Sequence, residues 1–184
     1  MKQRLNRLAR LSLAAVVLAF VWQSSHASQK PSGVAAVRKS ESKSKSKSKS
    51  KYVPVAEYDP RRDAAADIER AVAEAKRAKK NVLLEVGGKW CVWCRIMDAY
   101  FEANPDVLKL REDNYVTLKI NFSPENENKE VIAKYGEVAG YPHIFVLDSK
   151  GKLIQSQGTG ELEAGRSYDK EKFVGFLKKW SPTK

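Results

Sequence analysis

Two hydrophobic periods divide the chain between residues 60 and 180. Behind Asp59-Pro60, which reads as an N-cap followed by proline at the first helical position, Ile68, Ala71, Val72 and Ala75 recur at helical spacing. The pattern predicts a helix from about 60 to 80. Val82-Leu83-Leu84-Glu85-Val86 then reads as a buried strand interrupted by one acid and closed by Gly87-Gly88. Helical spacing resumes from Cys91 to about Ala103, breaks at Asn104-Pro105, and continues as a shorter helix towards Arg111.

Tyr115 to Ile120 alternates and is rich in β-formers, which predicts a second strand. After the polar loop Ser123 to Asn128, a short helix around Val131, Ile132 and Tyr135 ends at Gly136. His143 to Leu147 and Lys152 to Ile154 read as strands joined by the turn Asp148-Ser149-Lys150-Gly151, and a final helix from about Asp169 to Trp180 buries Phe173, Phe176 and Leu177. The predicted order is α-β-α-α-β-α-β-β-α, an α/β domain.

None of this patterning extends to the N-terminus. Lys2, Arg4, Arg7 and Arg10 precede an apolar run from Leu11 to Trp22, shorter than the roughly 20 residues of a membrane span. Ser25-His26-Ala27 follows with small residues where a leader peptidase reads, so residues 1–27 are expected to be a secretory signal. The alternative is an uncleaved leader that anchors the chain. Residues 28–56, with their Ser-Lys alternation from Ser42 to Lys51, offer no face to a core and are expected to be a disordered tether. That leaves 57–184 as the folded domain.

Charge follows the same division. The formal net charge of +12 invites nucleic acid, yet residues 1–51 hold 12 Lys/Arg against the single acid Glu41, and the remainder is nearly neutral. The five evenly spaced lysines from Lys43 to Lys51 can attract an anionic surface weakly. Nucleic acid is not expected, because the tail has no aromatic residue before Tyr52 on which a base could stack.

The candidate chemistry lies at Cys91 and Cys94, the chain's two cysteines. A pair this close cannot staple distant segments. A structural zinc site needs about four ligands, and the histidines are His26, in the leader, and His143, so no metal is expected. On the first turn of a helix, however, two cysteines separated by two residues can close a disulfide, and the helix dipole favours a thiolate at the first. Cys91 is placed as the nucleophile and Cys94 as the resolving thiol.

The run Glu85-Val86-Gly87-Gly88-Lys89-Trp90-Cys91-Val92-Trp93-Cys94 resembles the thioredoxin active-site segment, with its strand, its tryptophan before the first cysteine and its helix. The resemblance covers roughly residues 57 to 181. It extends to exported bacterial thiol:disulfide oxidoreductases, including the C-terminal thioredoxin domain of DsbD, which also carries Cys-Val-x-Cys. It implies a thioredoxin fold with a central mixed sheet flanked by helices, a redox-active Cys91–Cys94 disulfide and no cofactor. It also implies that Glu85, six residues before Cys91, is the family's buried acid, suited to accept the Cys94 proton. The structural alternative pairs Glu85 with a nearby lysine such as Lys89.

Gly140-Tyr141-Pro142 falls where the family carries a cis-proline loop against the disulfide, which implies a cis peptide at Pro142 and substrate contacts from Tyr141. Trp90, Trp93, Tyr141 and Pro142 are the expected substrate rim, with Trp93 equally suited to packing. His143 is a candidate base, but a strand histidine more often packs. Two departures from the family are visible: Val92-Trp93 replaces the Gly-Pro of thioredoxin, which bears on electron direction, and Gly87-Gly88 replaces bulkier residues, opening space beside Trp90.

The expected activity is dithiol–disulfide exchange with protein disulfides or thiols outside the cytoplasm, in the periplasm as for the exported proteins it resembles, as reductase or isomerase with an upstream redox partner. The alternative is a binding or assembly module whose disulfide is structural.

Overall fold

A computed structural model describes residues 52–183. The expected signal at 1–27 and the expected tether as far as Lys51 lie outside the described residues. Among the described residues no helix is long and apolar enough to cross a membrane.

The chain runs through α1 (Ala64–Ala78), β1 (Asn81–Gly87), α2 (Val92–Ala103), α3 (Pro105–Asn114) and β2 (Tyr115–Asn121). It continues through α4 (Lys129–Ala133), β3 (His143–Leu147) and β4 (Leu153–Gly158). A 3-10 turn (Thr159–Leu162), the short ladder β5 (Glu163–Ala164) and β6 (Ser167–Tyr168), and α5 (Lys170–Lys179) complete it. The main sheet is ordered β2-β1-β3-β4. β1 and β2 are parallel, while β3 runs antiparallel to both β1 and β4. This is the mixed sheet of a thioredoxin-like α/β fold.

Strand parity sorts the core into two layers. Val82, Leu84 and Val86 of β1, Val116, Leu118 and Ile120 of β2, and Phe145 and Leu147 of β3 pack with Ile68, Ala71 and Ala75 of α1 and Ile132 of α4. The opposite face carries Leu83, Tyr115, Ile144 and Val146 against Met97, Tyr100 and Phe101 of α2, Val107 of α3 and Phe173, Phe176 and Leu177 of α5. Each fully buried Leu or Phe contributes roughly 1.5–3 kcal/mol relative to exposure. Glu85 and Gly87 have the parity of Leu83, so both face α2.

Three boundaries differ from the sequence expectation. α1 starts at Ala64 because Asp63, not Asp59, caps it, accepting from Ala66 N at 3.1 Å; Asp59 instead binds Arg61. β4 runs on to Gly158 through Gln155-Ser156-Gln157, an edge strand whose polar side chains leave no apolar alternation to read. Residues 52–56, assigned to the tether from sequence, belong to the fold: Val55 is buried and its carbonyl accepts from Lys119 N at 3.0 Å. Among the described residues the packed region therefore reaches back to Tyr52, past the expected boundary at 57.

Candidate active site

At the end of β1 the chain turns through Gly88, Lys89 and Trp90 into α2. Cys91 N donates to Gly88 O at 3.0 Å, and Arg95 reaches back to Lys89 O at 2.8 Å, closing the turn. Cys91 is the N-cap of α2, with extended backbone, and its Sγ accepts from Cys94 N at 3.1 Å. The two sulfurs form a disulfide across a Cα–Cα separation of 5.3 Å. A sulfur held at a helix N-terminus beside a backbone N–H is where a thiolate is stabilised.

Both cysteines are buried, Cys91 to 2% exposure and Cys94 to 1%. Trp93 and Tyr141 pack against them together with Tyr58. The Tyr141–Pro142 peptide is cis, and Pro142 O accepts from Thr159 Oγ1 at 2.7 Å. Tyr141 meets Trp90 edge-on at 5.2 Å and stacks on Phe122 at 5.0 Å. Trp90 and Val92 are exposed. Trp93 turns inward against Tyr168 at 5.8 Å, so most of its contact is packing.

The two glycines accommodate specific neighbours. A Cβ on Gly88 would collide with the Trp90 indole nitrogen, which instead donates to Phe122 O at 2.7 Å. A Cβ on Gly87 would collide with Cys94 Sγ and lie 2.9 Å from the Tyr58 hydroxyl. The space expected beside Trp90 is thus filled by Trp90 itself.

Glu85 is buried, with the Tyr58 hydroxyl donating to its Oε1. Burial raises its carboxyl above the usual carboxylate range, while the charge of Lys119 and the Tyr58 hydrogen bond pull the other way. The lysine whose charge acts on it is not Lys89 but Lys119, its register partner on β2. Lys119 in turn binds Asp98 of α2 at 2.6 Å. His143 stays apart from this cluster: it has the parity of Phe145, on the opposite face of the sheet from Glu85. Its ring packs on Phe145 at 4.6 Å and its Nε2 meets Ser156 Oγ at 2.8 Å, which is the packing role.

The fold therefore gathers Cys91, Cys94, Tyr141 and, through Tyr141, Trp90, with Glu85 joined to the cysteines through Tyr58 and Pro142 following Tyr141 in the chain, and it adds Tyr58, Lys119, Asp98 and Phe122, which the sequence reading did not single out. Lys119 was read as part of an alternating strand, but its place beside Glu85 follows from the β1–β2 register. Tyr58 and Phe122 lie in connecting segments, where no periodicity indicates direction. Among the described residues no cluster of metal-ligating side chains occurs.

Residues 63–149 match the family model described as thioredoxin-like. The chain is 31% identical over 121 residues to the thiol:disulfide interchange protein DsbD 2 of Pseudomonas aeruginosa, a match covering 65% of this chain and 19% of that relative. The chain thus spans about a fifth of the length of that protein. Its fold is similar to the crystal structure of a disulphide isomerase from Xylella fastidiosa Temecula1, with TM-score 0.58, 28% identity and coverage of 70% of this chain and 98% of that one. It is also similar in fold to the oxidised C-terminal domain of Neisseria meningitidis DsbD, with TM-score 0.51, 23% identity and coverage of 68% and 99%.

Proposed function

Taking as premise that this chain carries a thioredoxin-like domain over residues 63–149, we propose that it is a thiol:disulfide oxidoreductase that exchanges the Cys91–Cys94 pair with protein substrates outside the cytoplasm. The observation that carries this reading is the Cys91–Cys94 disulfide at the N-terminus of α2, with Glu85 buried behind it. The named relatives, a thiol:disulfide interchange protein and a disulphide isomerase, support the same chemistry.

In the reducing direction, the Cys91 thiolate attacks a substrate disulfide, forming a Cys91–substrate bond and releasing the first substrate sulfur with its electron pair. Cys94 then loses its proton towards Glu85 and attacks Cys91 Sγ. The second substrate sulfur leaves, so the substrate is reduced and the Cys91–Cys94 disulfide is formed. An upstream dithiol donor of the same chemistry restores the pair. Trp90, Tyr141 and Pro142, with the exposed part of Trp93, form the rim that meets the substrate. Export is supported by the basic, then apolar, then small-residue pattern of 1–27. Reductase or isomerase action is favoured over oxidation by the buried acid, which suits deprotonation of the resolving thiol.

The deep burial of both cysteines favours a second reading, a binding module with a structural disulfide. Reduction of insulin by the protein with dithiothreitol tests the first. Turnover that is abolished by Cys91→Ser, with covalent mixed disulfides trapped by Cys94→Ser, supports exchange. A disulfide that resists mild reductant, with no trapped partner, supports the module. Direction is read from the reduction potential, with about −270 mV characteristic of thioredoxin and about −120 mV of the oxidant DsbA.

A further inference from the structure

Glu85 makes one side-chain hydrogen bond among the described residues, and its partner is Tyr58 rather than a cysteine. Tyr58 comes from the segment before α1 and is 5% exposed. It shares a buried cluster with Cys91 and Cys94. Its hydroxyl and Cys94 Sγ converge on a single point, the place where residue 87 would carry a Cβ and, being glycine, does not. A cleft of about 260 Å³ opens beside them, lined by Tyr58, Cys94, Gly88, Lys89, Asp98 and Lys119 among others, while Glu85 is not part of its lining. The Tyr58 hydroxyl thus bonds the buried carboxylate and, with the Cys94 sulfur, lies within 3 Å of that one point, while Tyr58 and Cys94 line the cleft and Glu85 does not.

Resting on the exchange activity proposed above, we infer that the Tyr58 hydroxyl relays the proton between Cys94 and Glu85. In the resolving step the Cys94 thiol proton passes to the Tyr58 oxygen as the Tyr58 proton passes to Glu85 Oε1. Cys94 Sγ then bonds to Cys91 Sγ, the bond from Cys91 to the substrate sulfur breaks, and that sulfur leaves as a thiolate that takes its proton from water. The phenol ends the step protonated and never carries a charge. This matters because burial beside Glu85 holds the phenol well above its ordinary range and so disfavours a free phenolate. In the opposite direction the same path returns the Glu85 proton to Cys94 as the disulfide opens. Gly87 is what allows the hydroxyl and the sulfur to approach the same point, since any larger residue would fill it.

The test uses the reduced full chain and an aromatic disulfide, 5,5′-dithiobis(2-nitrobenzoate), which releases one coloured thiolate when Cys91 attacks and a second when Cys94 resolves the mixed disulfide. Tyr58→Phe keeps the ring and removes the hydroxyl. The ratio of the second rate to the first is expected to fall about 100-fold at neutral pH, the usual size of a lost acid–base contribution. It should recover as pH rises past the ordinary thiol value of about 8.5, where Cys94 ionises unaided. An unchanged ratio at neutral pH overturns the relay. Should Tyr58→Phe fail to fold, the unsubstituted protein gives a second measurement in mixtures of light and heavy water. A curved dependence of the second rate on deuterium fraction, from two protons in flight, supports the relay; a straight line overturns it. An unsubstituted protein with no second release overturns the exchange reading itself, and the relay with it.

Discussion

Gly87 at the end of β1 lies against the sulfur of Cys94, so closely that a Cβ at 87 would overlap it and press on the Tyr58 hydroxyl. Both neighbours are buried and cannot withdraw towards solvent. Gly87→Ala is therefore expected to destabilise the oxidised protein by about 1–3 kcal/mol, the usual cost of overpacking. Urea titration checks it. Gly175 provides the contrast: it is an exposed position inside α5 with nothing within 4 Å of its would-be Cβ. Gly175→Ala should stabilise by about 0.5–1 kcal/mol, because alanine loses less backbone freedom on folding. Equal effects at the two positions would refute the packing argument at Gly87.

Glu85 makes stability depend on pH in a defined direction. Burial raises its folded pKa above the ordinary value of 4.5, so the folded state holds the proton more tightly than the unfolded state across that window. Stability from this group is fully present below 4.5 and is lost as pH rises through the folded value. The loss amounts to about 1.4 kcal/mol for each unit of elevation. Glu85→Gln keeps an acceptor for Tyr58 but cannot ionise. The variant is expected to lack this slope and to be more stable than the native protein at pH 7, while resolving mixed disulfides more slowly. Parallel stability–pH curves for the two proteins would show that Glu85 titrates normally.

His143 acts with the opposite sign. Burial lowers its folded pKa below the ordinary 6.5, and its Nδ1 has no partner among the described residues. The unfolded state therefore binds the proton first, and stability falls as pH drops from 6.5 through the folded value. The groups around the ring are Ser156 and Phe145, neither of which carries a charge that would hold an imidazolium. His143→Gln, neutral throughout, should remove the acid-side loss in thermal melts taken between pH 7 and 5. It should leave the ratio of the two thiol-release rates unchanged, because residue 143 lies on the far face of the sheet from Glu85. A changed ratio would return His143 to the chemistry.

How much of this could be read from the chain depends on how far apart the contributing residues are. Glu85, Trp90, Cys91 and Cys94 lie within ten residues on one strand–turn–helix, and local pattern places each of them. The alternation of β2 was likewise legible, but the sharing of one face by Glu85 and Lys119 was not, because it rests on the parallel register of β1 and β2. Tyr58 was not, since its position depends on a non-periodic segment crossing onto the α2 face. Phe122 is placed by its stacking on Tyr141 and by a carbonyl that accepts from Trp90, contacts between loops far apart in sequence. The start of α1 was misread because Asp59 and Asp63 are both good caps, and the pairing of Asp59 with Arg61 leaves Asp63 to cap the helix. The extension of β4 was hidden because an edge strand can satisfy its outer face with glutamine and serine.

Tyr141 provides a prediction in which two measurements move in opposite directions. Cys91 has only 2% of its surface exposed, and the Tyr141 ring, itself held by Trp90 and Phe122, is one of the groups packed over the disulfide. A small thiol must pass this ring, whereas a protein substrate can displace it and use the aromatic surface it uncovers. Tyr141→Ala is therefore expected to speed reduction of the disulfide by dithiothreitol, because the sulfur is uncovered. For insulin the same change removes an aromatic contact of the kind whose truncation costs about 1–3 kcal/mol at an interface. That corresponds to a rise in KM of roughly 5- to 150-fold, at tenfold per 1.4 kcal/mol. Stopped-flow rates with dithiothreitol and steady-state kinetics with insulin give the two numbers. If both reactions slow together, Tyr141 holds the site in shape rather than covering it; if both quicken, the ring obstructs substrates and takes no part in holding them.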